Sequence, residues 1–174
     1  MSALHVDIIP AIVISAAVII GAVSDLRGFR LPNRLTLPLV LSGLLWHLAC
    51  GAADGVTRSV CGLLAASLPL LPAWSAGGMG AGDVKLMAGI GAWLGALFAL
   101  QVLILAGLAG CAFAGLRRLS QPQPAHDPLP RMSVEQALQS SPHRSRLLPF
   151  GVMIAAGTLI QLLLISIRTA FPDT

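Results

Sequence analysis

Apolar runs separated by short polar breaks recur along the whole chain, over residues 7–25, 36–52, 57–74, 84–95, 97–116 and 148–168. A helix needs about 20 such residues to cross the roughly 30 Å hydrocarbon core of a bilayer. The pattern predicts an all-α, polytopic integral membrane protein with about six transmembrane helices. The stretch from Val84 to Leu116, broken only by Lys85 and Gln101, is the ambiguous one. As a single helix it would be about 50 Å long, too long for one ordinary span, so two short helices turning near residues 93–96 are expected. The first run, Ile8 to Val23, lacks the basic flank of a secretory signal and is read as a retained helix.

Composition agrees with the pattern. The chain is 56% hydrophobic and 10% charged, with a mean hydropathy of +0.84, whereas an average soluble domain is about 25% charged. Its 174 residues leave no room for a large soluble domain beside several spans, so residues 1–174 are expected to form a single membrane-embedded domain. The net charge of +4 would suit nucleic acid in a soluble protein, but in a membrane protein basic residues first report topology, and no nucleic-acid partner is expected. Arg27, Arg30 and Arg34 follow the first run, and Arg117, Arg118, Arg131, Arg144 and Arg146 fall in the loop 117–147. With six spans both loops and Lys85 share one side, leaving only Arg58 and Arg168 opposite. Nine of the eleven basic residues then face the cytoplasm, and both termini lie on the other side.

The loop 117–147 carries Gln121-Pro122-Gln123-Pro124-Ala125-His126-Asp127-Pro128-Leu129-Pro130, too rich in proline for a helix and expected to be mobile. Residues 134–140 follow a capping-box pattern at Ser133-Val134-Glu135-Gln136 and are expected to form a turn or two of surface helix. Cys50, Cys61 and Cys111 are isolated within apolar runs. With no CxxC pair, neither a zinc site nor redox chemistry is expected, and buried structural thiols are the simpler reading. Trp46, Trp74 and Trp93 are expected as interfacial anchors, His47 as a structural or interfacial residue, and Gly91 with Gly95 as a helix-packing pair.

Two acids stand apart. Asp25 ends the first span and Asp83 begins the fourth, with one helical hairpin between them, so they fall on the same membrane face in either orientation. A carboxylate in or beside the bilayer costs a few kcal/mol, about 2.5 to 3.5 on insertion scales, and by default marks a functional site. Two carboxylates in a poorly hydrated pocket share a proton and titrate as a pair. The ionised member can take a proton from an attacking water while the protonated one polarises a peptide carbonyl and later supplies a proton to the leaving amine. Gly80 and Gly82 before Asp83 would let the backbone take unusual dihedrals and admit an extended substrate. Each acid also has a plainer reading. Aspartate is a good helix N-cap, and a carboxylate at Asp25 could be a solvated interfacial charge. Lys85 could tune the pair or snorkel towards lipid headgroups.

Three segments resemble the type IV prepilin peptidases, membrane aspartyl proteases of the GxGD type, in their short form. Ser24-Asp25-Leu26-Arg27 with Leu31-Pro32-Asn33-Arg34-Leu35-Thr36 is similar to the family's first catalytic segment, an aspartate followed seven residues later by proline and then Asn or Asp. Gly78-Met79-Gly80-Ala81-Gly82-Asp83-Val84-Lys85-Leu86 with Gly91-Ala92-Trp93-Leu94-Gly95 resembles the second. Leu148-Pro149-Phe150-Gly151 resembles the Pro-Phe/Tyr-Gly element opening the last span. The resemblance implies Asp25 and Asp83 as the catalytic pair, supported by Gly80, Gly82, Lys85, Pro32, Asn33, Pro149 and Gly151, with neither metal nor cofactor. It implies removal, at the cytoplasmic face of a bacterial inner membrane, of the short basic leader of a prepilin or pseudopilin. Compact chains of this size resemble the peptidases of Flp/Tad pilus systems, and lipid and the pilus assembly machinery would be the other partners. Longer members carry an N-terminal domain with paired CxxC motifs that accompanies N-methylation. Since no such pair occurs in these residues, the implication extends to cleavage and not to methylation. Two rivals use the same acids: a catalytically degenerate pilus-assembly scaffold, and a small proton-coupled transporter, which helix-end acids suit poorly because transport sites lie near the bilayer midplane.

Overall fold

Long apolar stretches with few breakers build helices through nearly all of residues 8–28, 33–120 and 150–170, the parts of the chain that the computed structural model describes. The helices are α1 (Ile8–Gly28), α2 (Asn33–Ser67), α3 (Leu71–Ser75), α4 (Ala81–Leu94), α5 (Ala96–Ser120) and α6 (Phe150–Ala170), with a 3-10 turn at Leu68–Leu70 between α2 and α3. Pro32 and Pro149, the loop from residue 121 to 147 and its expected helical turns at 134–140 lie outside the described residues. The loop expected from residue 117 starts later than predicted, because α5 continues to Ser120.

The expected all-α, polytopic membrane fold is observed, with a span count that is not exactly six. Among the described residues, four helical segments are long and apolar enough to cross a membrane: Ile8–Leu26, Asn33–Ser75, Ala96–Leu116 and Phe150–Arg168. Two causes account for the difference. The expected second and third spans share one segment, Asn33–Ser75, whose backbone is non-helical at Ala52 (φ 48°, ψ −130°), at the expected boundary between them. The expected fourth span, α4, has 14 residues, about 21 Å at 1.5 Å per residue, short of the hydrocarbon core.

Contacts with α4 show that the chain reverses at Ala52. Before it, Leu39 lies against Gly89 and Gly43 against Ala92 and Trp93, so residues 33–51 run parallel to α4. Beyond it, Arg58 lies beside Gly95, the Ser59 hydroxyl donates to the Ala92 carbonyl at 2.8 Å, and Gly62 and Ala66 meet Gly91. Residues 53–67 therefore run back along α4. The reversal is tight: a Cβ on Gly55 would fall on the His47 carbonyl oxygen. His47 also bonds locally, its Nδ1 lying 3.0 Å from the Gly43 carbonyl.

Without a hydrophobic drive between helices in lipid, close packing of small residues holds such a bundle. Gly55, Ser59, Gly62 and Ala66 line the buried side of the second arm of α2. At the crossing of Gly62 with Gly91 two backbones touch, and a Cβ on either glycine would fall on the other's carbonyl oxygen. The pairing expected for Gly91 is thus real. Gly95 lies at the same crossing, its Cα 2.9 Å from where a Gly62 Cβ would stand, and its φ of +83°, strained for L side chains, also makes the predicted turn between α4 and α5. On the other side of α4, α6 packs between α1 and α5, with Gly110 against Met153 and Gly157 against Val102 and Ala106.

Two residue-level expectations are corrected. Trp93 is a core residue, 6% exposed, with its Nε1 donating to the Leu39 carbonyl at 2.9 Å and its ring stacked on Trp46. Trp74 is exposed. Cys50, Cys61 and Cys111 are free and exposed on the protein surface; an apolar thiol in a membrane bundle can turn outward to lipid, so an apolar neighbourhood in sequence does not require burial in protein.

Candidate active site

The site lies where the end of α1 meets the starts of α4 and α6. Asp25 stands in the last turn of α1 and Asp83 in the first turn of α4, and both are buried, at 6% and 8% exposure. Each carboxylate is held by a backbone N–H. Gly151, at the start of α6, donates to Asp25 Oδ2 at 3.1 Å, so the positive end of a helix faces this acid. Gly80 donates to Asp83 Oδ2 at 3.3 Å, and the Asp83 amide donates to the Gly80 carbonyl at 3.1 Å. Asp83 therefore does act as a capping residue, on the first turn of its own helix. Capping and burial in a site coexist.

Asp83 lies outside the four membrane-crossing segments, and its electrostatics identify its neighbour. Burial first, and then the negative charge of Asp25, push its carboxyl up to about 7, against a partial offset from the Gly80 N–H. Asp83 can therefore hold a proton near neutral pH, and the two helices that carry the acids, α1 and α4, pack against one another.

Other expected residues take places around this pair. Gly151 fits against Asp25 so closely that a Cβ would stand 3.0 Å from Oδ2, which explains glycine there on packing grounds. The Lys85 Nζ donates to Asn33 Oδ1 at 2.9 Å, and so ties the first turn of α4 to the first turn of α2. The expectation of unusual dihedrals at Gly80 and Gly82 is corrected: Gly80 has φ −77° and ψ 144°, ordinary extended backbone, and Gly82 is inside the helix. Positive φ occurs instead at Gly77, three residues earlier. At Gly80 a side chain would crowd Asp83, with Cβ 3.3 Å from Oδ2.

Sequence reasoning missed Thr36, fully buried in the first turns of α2, and the Gly62–Gly91 crossing that sets the height of α4. The spacing of Gly55, Ser59, Gly62 and Ala66 was the available signal for the second. Among the described residues, no three His, Cys, Asp or Glu side chains converge as a metal site.

Residues 12–115 match the model of the type IV leader peptidase family. Among curated proteins, the chain is 35% identical over 146 residues to a prepilin leader peptidase/N-methyltransferase of Aeromonas hydrophila, covering 80% of this chain and 43% of that protein. Like-named proteins of Xanthomonas campestris pv. campestris and Escherichia coli are 30% and 34% identical, over 69% and 58% of this chain and 44% and 47% of their own lengths. The chain thus spans less than half the length of these relatives. No solved structure matches it. The matched stretch contains both buried aspartates and most of the bundle that holds them, and the chain belongs to the type IV leader peptidase family.

Proposed function

We propose that this chain is a membrane aspartyl endopeptidase that removes the leader of type IV prepilins or pseudopilins. One observation carries the reading: in a member of this family, two buried aspartates on helices that pack together are each held by a backbone N–H. The Gly151 N–H and the positive end of α6 make Asp25 the better placed member to be ionised and to take a proton from the attacking water. Asp83 then carries the shared proton, polarises the scissile carbonyl and gives that proton to the leaving amine as the C–N bond breaks. No covalent intermediate is needed. Gly80 and Gly151 keep bulk away from the acids, and Asn33 with Lys85 fixes the start of α2 against α4.

The finer reading is a prepilin of the Flp/Tad type, cut at the cytoplasmic face of a bacterial inner membrane by one membrane-embedded unit, in contact with lipid and the pilus assembly machinery. Arg27, Arg30, Arg34 and Lys85, close to the two acids in sequence, support that orientation. Coexpression with a candidate prepilin, with leader removal followed by gel shift, tests the activity. Asp25→Ala and Asp83→Ala, at protein levels equal to wild type, are each expected to leave the leader attached, and complete processing by either would refute the mechanism.

A further inference from the structure

Among the described residues, one buried side-chain polar atom has no hydrogen-bond partner, the hydroxyl oxygen of Thr36. Such an atom needs an account, because a buried hydroxyl without a partner forfeits the hydrogen bonds it made to water. Other hydroxyls of this protein solve the problem locally. Ser42, Thr57, Ser67 and Thr158 each donate to a carbonyl three or four residues back in their own helix, and Ser59 donates across to Ala92. Helical Ser and Thr commonly do this. Thr36 is 0% exposed and does not.

Its position gives the omission a meaning. Along the parallel-running seam between α2 and α4, Asn33 is bonded to Lys85 and Leu39 lies against Gly89. Thr36 falls halfway between them, one turn from each, on the side of α2 that packs against α4. It therefore stands opposite the turn of α4 that follows Asp83. The polar groups at this end are otherwise matched within the protein: Asp25 with Gly151, Asp83 with Gly80, and Lys85 with Asn33. The Lys85–Asn33 bond that closes the mouth of the seam is exposed, where water can replace either partner at little net cost. A peptide in extended form offers an unpaired N–H and C=O at every residue, which is what a lone hydroxyl, both donor and acceptor, can satisfy.

We propose that the Thr36 hydroxyl is a substrate ligand, left unpartnered in the free protein so that it can bond a main-chain amide of the extended peptide beside the Asp25–Asp83 pair. This rests on the peptidase reading above. In the free protein the hydroxyl is a liability for folding, and its function is realised only with peptide bound. A structural threonine would show the opposite.

The test compares wild type, Thr36→Val, Thr36→Ser and Asp25→Ala, each purified in detergent, on a synthetic peptide spanning a prepilin leader junction and in thermal melts. Valine keeps the shape and removes the hydroxyl; serine keeps the hydroxyl. Thr36→Val is expected to melt at or above the wild-type temperature while losing about tenfold in kcat/KM, the worth of one ordinary hydrogen bond, and Thr36→Ser is expected to cleave nearly as wild type. Cleavage by Thr36→Val at the wild-type rate, with Asp25→Ala inactive, overturns the role of Thr36 and leaves the peptidase reading standing. A drop in melting temperature that parallels the lost activity, without recovery in Thr36→Ser, overturns it too, in favour of a packing role. If wild type itself leaves the junction intact, the peptidase reading and this inference fall together.

Discussion

Replacing Gly151 by alanine probes the contact between α6 and Asp25 directly. The added Cβ would stand 3.0 Å from Asp25 Oδ2 and 3.2 Å from both its Cβ and Cγ. Carbon atoms in contact settle at about 3.5 to 4.0 Å, so α6 and the carboxylate must part by about 0.3 Å or more. The Gly151 N–H to Oδ2 bond, already 3.1 Å, then leaves the usual range of about 2.7 to 3.2 Å. Weakening a hydrogen bond to a charged group costs about 1.5 to 3 kcal/mol, while alanine gains up to about 1 kcal/mol over glycine inside a helix. These partly cancel in stability and do not cancel in the reaction, because only Asp25 is misplaced. The expected result is a melting temperature near wild type with leader cleavage reduced about 10- to 100-fold. A time course of leader removal from a coexpressed prepilin, at matched protein levels, reads this out. Wild-type cleavage by Gly151→Ala would refute the claim that the start of α6 positions the acid.

Asp83 gives a prediction in pH. Its carboxyl is pushed up to about 7 in the folded protein from an ordinary carboxylate value of 3.8, so the folded state binds this proton more tightly and stability declines as pH rises from about 4 to about 7, by at most about 4 kcal/mol. Asp83→Asn has no such slope and should gain on wild type in detergent melts as pH rises; a constant gap between the two curves across that window would contradict it. Gly91→Ala would place a Cβ 2.6 Å from the Gly62 carbonyl carbon and 2.8 Å from Ala66 Cβ, forcing backbone away from backbone at a cost of about 1 to 3 kcal/mol. It should lower both melting temperature and cleavage, whereas Gly107→Ala, with open space around it, should change neither.

The acids were legible in the sequence because charge is rare in an apolar chain, and because a hairpin between two helix ends fixes their common side whatever the orientation. The turn at Gly95 was legible for a related reason: a 33-residue apolar run from Val84 to Leu116 cannot be one span. What escaped were properties of contacts. The reversal at Ala52 falls at the expected break between the runs 36–52 and 57–74 and was itself legible; which faces of the two arms meet α4 was not. Trp93 resembled an interfacial anchor until Leu39 from another helix supplied its hydrogen-bond acceptor. Thr36 belonged to a quoted motif, but its missing partner is visible only when the surrounding helices are in place.

Asp83 rides on a helix that has almost no contact with lipid. Eleven of the fourteen residues of α4 are buried by the rest of the protein, and its height is fixed by the Gly62–Gly91 crossing. Asp25 rides on α1, where Ile8, Ile12, Ile19 and Leu26 are exposed as lipid-facing residues would be. Helices in contact with lipid respond to hydrophobic mismatch by tilting; a helix wrapped in protein is insulated from it. Acyl-chain length thereby becomes a mechanical input to the site, acting on one carboxylate and sparing the other, with the single bond from Gly151 resisting the relative slip.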